Sequence, residues 1–137
     1  MSQTADPETS QATPRPARRV LVLGASGTLG RATVRALAQR GHHPIAFVRE
    51  SAAAHPALRD LEVRTGDIRD PQSVARDAIR GERFDALVSC LASRNGAPKD
   101  AWAIDHQAHS HALAAAKAAG IPHFVLLSAI CVQKPML

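Results

Sequence analysis

The chain has 137 residues, the room of about one ordinary domain, which excludes a two-domain enzyme. A hydrophobic fraction of 45% beside 21% charged residues excludes wholesale disorder. The net charge of +5 is spread out, with no basic run longer than Arg18-Arg19, which argues against a nucleic-acid footprint.

Residues 1–18 mix Ser, Thr, Gln, Pro and acids around no apolar core and read as a disordered tail, neither secretory signal nor transit peptide. Residues 20–23, Val-Leu-Val-Leu, predict a strand buried on both faces. Helical spacing over 29–39 follows, with Gly41 placed to end it. Residues 44–48 form a second strand, 51–60 a short helix or loop, and 61–65 a third strand closed by Gly66-Asp67. Asp70-Pro71 opens a helix that reaches Arg80: a capping carboxylate, then proline where its missing N–H costs nothing. Strand four covers 86–91, and a loop over 92–98 leads to the longest helix, 100–119. Its apolar stripe is Ile104, Ala108, Ala112, Ala115 and Ala119. Gly120-Ile121-Pro122 stops it, and 124–127 is strand five. Such alternation predicts an α/β fold: a Rossmann-type doubly wound parallel sheet in the order 3-2-1-4-5, over 19–137.

Only Cys90 and Cys131 are present, so a disulfide framework and a Cys-rich zinc motif are both excluded. No stretch approaches the roughly 20 apolar residues of a membrane helix. A reducing, cytoplasmic setting is expected, and the Arg- and Ala-rich composition looks like that of a GC-rich bacterial coding sequence.

Gly24-Ala25-Ser26-Gly27-Thr28-Leu29-Gly30 lies directly between strand one and the first helix. Glycines there permit a tight turn, let backbone N–H groups approach a pyrophosphate at the helix N-terminus, and allow helix to pack closely on strand. Ser26 and Thr28 add hydroxyls. The spacing is G-x-x-G-x-x-G, not the G-x-G-x-x-G of many dehydrogenases, and a ligand-free turn is the plainer alternative. Past strand two, a carboxylate binds the free ribose hydroxyls of NAD, whereas an arginine accommodates the 2′-phosphate of NADP. Arg49 comes first here and Glu50 should point elsewhere, with Arg31 placed to assist. NADPH is the expected cofactor, unless Arg49 and Glu50 are only surface charges. Asp67 and Ile68 stand where the adenine edge would lie, or form a simple turn. Leu91, Ala92 and Ser93 follow strand four at the carboxyl edge of the sheet, where ligands bind in open α/β folds.

The glycine loop with Arg49 resembles the atypical short-chain dehydrogenase/reductases of NmrA-like type. Two blocks sharpen the likeness: Val88-Ser89-Cys90-Leu91-Ala92-Ser93-Arg94-Asn95-Gly96, continuing through Lys99-Asp100 and Trp102 to Ile104-Asp105; and Phe124 to Pro135. Together they resemble the divinyl chlorophyllide a 8-vinyl reductase family. The resemblance implies NADPH-dependent reduction of a vinyl group to ethyl on a tetrapyrrole, in chlorophyll or bacteriochlorophyll synthesis. Two departures stand out: His106 replaces the family's Tyr, and His109 and His111 replace its Thr and Asn. The family also continues beyond the position of Leu137 through elements that complete the substrate pocket. The chain is therefore expected to be a cofactor-binding portion with little turnover of its own, and strand five an exposed edge.

The chain contains no Tyr, so the Tyr-x-x-x-Lys proton donor of many short-chain dehydrogenases is impossible within it. Ser128 occupies the position of their catalytic serine, facing the nicotinamide or bonding local backbone. Lys134 is a candidate contact at the same edge. His106 and His109, at i and i+3, read as helix-surface histidines before a metal pair, since no third ligand is evident and no metal is expected. Cys90 and Cys131 read as small buried hydrophobes close enough to test for a disulfide, and Trp102 as packing before a macrocycle platform. The alternative function is a non-catalytic NADP-sensing module. An epimerase or nucleotide-sugar dehydrogenase is disfavoured by the missing Tyr.

Overall fold

Five parallel strands, β1 (Arg19–Leu23), β2 (His43–Val48), β3 (Glu62–Thr65), β4 (Ala86–Ser89) and β5 (His123–Leu126), form one sheet in the order β3-β2-β1-β4-β5. The computed structural model describes residues 15–93 and 97–128. Most of the expected tail, with Cys131 and Lys134, lies outside the described residues.

The period of two along each strand sorts the core into two layers. Leu21, Leu23, Ile45, Phe47 and Leu87 face one side and Val20, Val22, Ala46 and Val48 the other, all buried. Parallel register brings Leu21 beside Ile45 and Leu87, so each layer is continuous across the sheet. Pro44 is tolerated inside β2 for a specific reason. His43 donates to Arg18 O, so the next amide position faces β3, where pairing begins only at Ile45–Glu62.

Helix α1 (Thr28–Gln39) covers the Val20 layer through Val34. It ends as expected at Gly41: Gly41 N–H donates to Ala38 O and His42 N–H to Leu37 O, each over 3.0 Å. Two 3-10 turns, Glu50–Ala52 and Pro56–Leu58, occupy the uncertain 51–60 stretch, anchored by buried Leu58. Asp70 caps as expected, its Oδ1 accepting Gln72 N–H over 2.9 Å. Beyond it α2 (Val74–Ile79) is wound with π geometry, closing with Arg80 N–H on Ala75 O. Helix α3 runs over 98–118 in three contiguous parts, Pro98–Ala101, a π-wound Trp102–Ala108, and His109–Ala118. Both α2 and α3 pack on the Leu21 layer.

The predicted α3 stripe needs one correction: Ala119 is exposed, and Ala116 is buried in its place. Ala119 is the C-cap, where the chain already turns into Gly120, so the row Ala108–Ala112–Ala116 holds the contact. Strand four leaves the sheet after Ser89 although its apolar run continues to Leu91. Strand five starts one residue early, at His123 opposite Ala86. As expected, β5 is an edge in the described sheet, and Val125, Leu126 and Leu127 are 47%, 48% and 41% exposed. Buried Arg64 on β3 donates to Ala78 O over 2.6 Å and pairs with Glu62 and Glu82, tying the sheet to the α2 end. Among the described residues, no helix is long and apolar enough to cross a membrane.

Candidate functional site

A cleft of about 440 Å³ opens at the carboxyl ends of β1, β2, β3 and β4. Of the residues singled out above, Gly24, Ser26, Gly27, Arg49, Asp67, Ile68, Leu91 and Ala92 line it. Four separate chain segments therefore converge where the sequence placed them.

Its floor is the β1–α1 loop, whose three glycines differ in what the protein demands of them. Gly24 adopts φ +72°, and a Cβ there would stand 3.1 Å from the Cys90 carbonyl group. A Cβ on Gly30 would overlap Gly24 O and come within 2.7 Å of Ala25 Cα, so this glycine serves close packing of helix on strand. Gly27 has an ordinary φ of −74°, and a Cβ there would meet no protein atom closer than 3.5 Å. Neither backbone nor packing demands glycine at 27. The missing side chain leaves that face of the loop open to the cleft. Helix α1 begins at that point with no side-chain cap and no acid in its first turn, so its positive end is left for an external anion. A phosphate-bearing cofactor fits this cradle.

Arg49 opens the loop after β2 and lines the cleft, whereas Glu50 enters the first 3-10 turn and does not. Arg31 does not line it: its Nη1 lies 3.2 Å from His55 Nε2. Asp67 lines the cleft while its Oδ1 accepts Arg69 N–H over 2.9 Å and its own N–H donates to Ser73 Oγ over 3.0 Å. Thr28, Leu29 and Gly30 form the first turn of α1 outside the lining, and Leu29 is exposed. Ser93 is also outside it, donating its N–H (3.0 Å) and hydroxyl (2.8 Å) to the Asp105 carboxylate. Ser128 is exposed beyond β5 and does not line the cleft.

Several residues of the cleft were not expected at the site from the sequence. Phe47 and Ile104 give the cleft apolar walls, and Arg69 reaches from the β3 loop to Asp100 at 3.4 Å. Cys90 lines it too. Burial pushes its thiol pKa up, with Thr33 Oγ1 at 3.5 Å opposing the shift, so it stays an inert thiol at neutral pH.

The reading of His109 as a surface histidine is corrected. Its Nε2 is 2.7 Å from the Oγ of fully buried Ser89, and its Nδ1 is 3.0 Å from Asp105 O. A carbonyl only accepts, so Nδ1 carries the proton, and in the neutral ring Ser89 donates to Nε2. His106 instead stacks on Trp102, with centroids 4.4 Å apart. The two imidazoles are committed to different partners. Trp102 itself is 59% exposed, so the packing expected of it is this surface contact with His106.

A family model described as NAD(P)H-binding matches residues 24–136. The chloroplastic divinyl chlorophyllide a 8-vinyl-reductase of Zea mays is 40% identical over 136 residues, covering 93% of this chain and 34% of its own length. The ceramide reductase of Caulobacter vibrioides is 37% identical over 120 residues, covering 86% of this chain and 37% of its own. This chain thus spans about a third of the length of the curated relatives it matches. In fold it is similar to the Bordetella bronchiseptica enzyme WbmG, solved in complex with NAD. The TM-score there is 0.70 at 20% identity, over 84% of this chain and 38% of that one. With the glycine cradle, the open helix end and the family match together, the chain belongs to the NAD(P)H-binding family.

Proposed function

We propose that residues 19–137 are the cofactor-binding portion of an NADPH-dependent reductase that converts the 8-vinyl group of divinyl (proto)chlorophyllide to ethyl. The observation that carries the cofactor choice is the position of Arg49. It lines the cleft at the end of β2, where the adenosine ribose falls once a diphosphate sits on the glycine loop, and Glu50 does not compete for that place. The likeness to the maize reductase supports the pigment substrate.

In this reading the Ser26, Thr28, Leu29 and Gly30 backbone amides hold the diphosphate, while Gly27 N–H donates to Gly24 O over 3.2 Å and shapes the turn. Asp67 and Ile68 border the adenine, and Leu91, Ala92 and Ser93 flank the nicotinamide end. NADPH supplies the hydride, and the protein aligns it and excludes water. Ser128 and Lys134 are assigned no proton-transfer step. The Arg- and Ala-rich composition supports a bacterial source, and the likeness to the maize reductase a place in chlorophyll or bacteriochlorophyll synthesis.

Two experiments test the proposal. Arg49→Ala should weaken NADPH binding by about 10- to 100-fold and leave NADH nearly unchanged, the scale of a charge-assisted phosphate contact. Equal loss for both coenzymes removes the 2′-phosphate assignment. A chimera carrying residues 19–137 in place of the matching third of the maize reductase should retain NADPH-dependent conversion of divinyl to monovinyl pigment. A chimera that folds and binds NADPH but converts no pigment contradicts the substrate assignment.

A further inference from the structure

Ser89 ends β4 on the layer that α3 covers, and its fully buried hydroxyl proton requires an acceptor. Leu91 N–H, 3.5 Å from the same Oγ, can only donate to it, so the proton goes to His109 Nε2 at 2.7 Å. Across the ring, Asp105 O at 3.0 Å can only accept, which puts the imidazole proton on Nδ1. Both ends of this chain of contacts are backbone groups with a single role, so its direction is fixed. Leu91 N–H faces Ser89 Oγ, Ser89 donates to His109, and His109 donates to Asp105 O. Burial excludes the serine as a nucleophile, although it meets an imidazole at the distance such chemistry uses.

The same turn of α3 holds a second point of the loop after β4. The Asp105 carboxylate accepts the Ser93 N–H over 3.0 Å and its hydroxyl over 2.8 Å. The sheet holds this chain segment as far as residue 90, through Cys90 N–H on Leu23 O (3.0 Å) and Leu127 N–H on Ser89 O (3.1 Å). Leu91 and Ala92, which line the cleft, therefore lie between Ser89 and Ser93, two residues tied to one turn of α3. The His109 ring joins the two ties, touching Ser89 with one nitrogen and the Asp105 backbone with the other. Where the resembled family carries Thr, with one hydroxyl, this chain carries a ring with two separated polar atoms.

We propose that His109 is a positioning residue for the coenzyme: by joining Ser89 to Asp105 it fixes where Leu91 and Ala92 stand at the nicotinamide end of the cleft. The assignment rests on the cofactor reading above and extends it to a residue that does not itself line the cleft. The wall against which the nicotinamide packs is then set by α3 as well as by β4.

The test titrates NADPH and 2′-phospho-ADP-ribose, the same molecule without its nicotinamide, into the parent chain and into His109→Ala, His109→Gln, Ser89→Ala and the His109→Ala, Ser89→Ala double variant. It also follows the His109 ring nitrogens by NMR. His109→Ala should bind NADPH about tenfold more weakly, the scale of a lost buried hydrogen bond, and 2′-phospho-ADP-ribose as the parent does. His109→Gln, whose Oε1 can accept the Ser89 proton, should recover part of the loss. Ser89→Ala should reproduce it, and the double variant should lose no more than either single one. The parent ring should carry its proton on Nδ1. If His109→Ala weakens both ligands equally, the residue only holds α3 on the sheet and the assignment fails. Parental NADPH affinity in His109→Ala, or a parent ring protonated on Nε2 alone, also overturns it. If the parent binds neither ligand, the cofactor reading itself fails and this assignment with it.

Discussion

At the scale of single residues, the glycine loop separates two demands that a pattern of letters merges. Gly30 is required by the protein itself, because any side chain there drives into the Gly24–Ala25 backbone. Gly27 is free of such contact. Gly30→Ala should therefore cost about 3 kcal/mol or more in denaturant unfolding, the scale of a rigid overpacked site. Gly27→Ala should stay within about 1 kcal/mol and lose coenzyme affinity instead. Similar unfolding losses in the two variants would contradict the division. The loop was legible because its meaning is local: strand before, helix after, and a seven-residue glycine pattern across the junction. The engagement of His109 with Ser89 was not, since the pair is separated by 20 residues and meets only through the packing of α3 on β4. Arg69 and Asp100, 31 residues apart, escaped for the same reason.

At the scale of elements, α2 shows how charge fixes the start of a short helix. Asp77 accepts from Arg76 (Nε 2.9 Å, Nη2 2.8 Å) and from Ser73 Oγ (2.7 Å). Led by the Arg76 hydrogen bond, these contacts hold its pKa down at about 2, against an ordinary 3.8. Asp70 is lowered too, first by Gln72 N–H and then by Arg76. A carboxylate whose folded pKa is depressed contributes stability that is complete above the unfolded value and lost as pH falls towards the folded one. For Asp77 that window runs from 3.8 down to about 2. Because these groups remain in contact with solvent, the effect is small and salt-sensitive. The melting temperature of Asp77→Asn should fall less steeply with acid across this window than the parent's, and parallel slopes in the two proteins would count against the account. The Asp70-Pro71 start of this segment was readable as capping chemistry. Its π winding, and that of Trp102–Ala108 in α3, was not, because each depends on what the helix must reach across the sheet. In α3 that winding carries Ile104 to the cleft wall and Asp105 to Ser93.

At the scale of the whole molecule, a parallel sheet with helices on both faces followed from hydrophobic period and alternation, which are strong, repetitive signals, and the strand order is that of the Rossmann type expected. The exposed row at β5 is the least settled part of the described surface. Edge strands bearing Val125, Leu126 and Leu127 invite pairing. Light scattering across a concentration series should show association of the parent, reduced in a Val125→Lys, Leu126→Lys double variant; equal association in both would place the contact elsewhere. The claim on which the functional reading stands is that the β1–α1 loop binds a dinucleotide diphosphate. Its most direct test is a backbone amide NMR titration of the chain with NADP+. The account predicts saturable shifts largest at Ser26 through Gly30, with a second group at Arg49, Asp67 and Leu91. Absence of saturation, or shifts centred away from that loop, would contradict it.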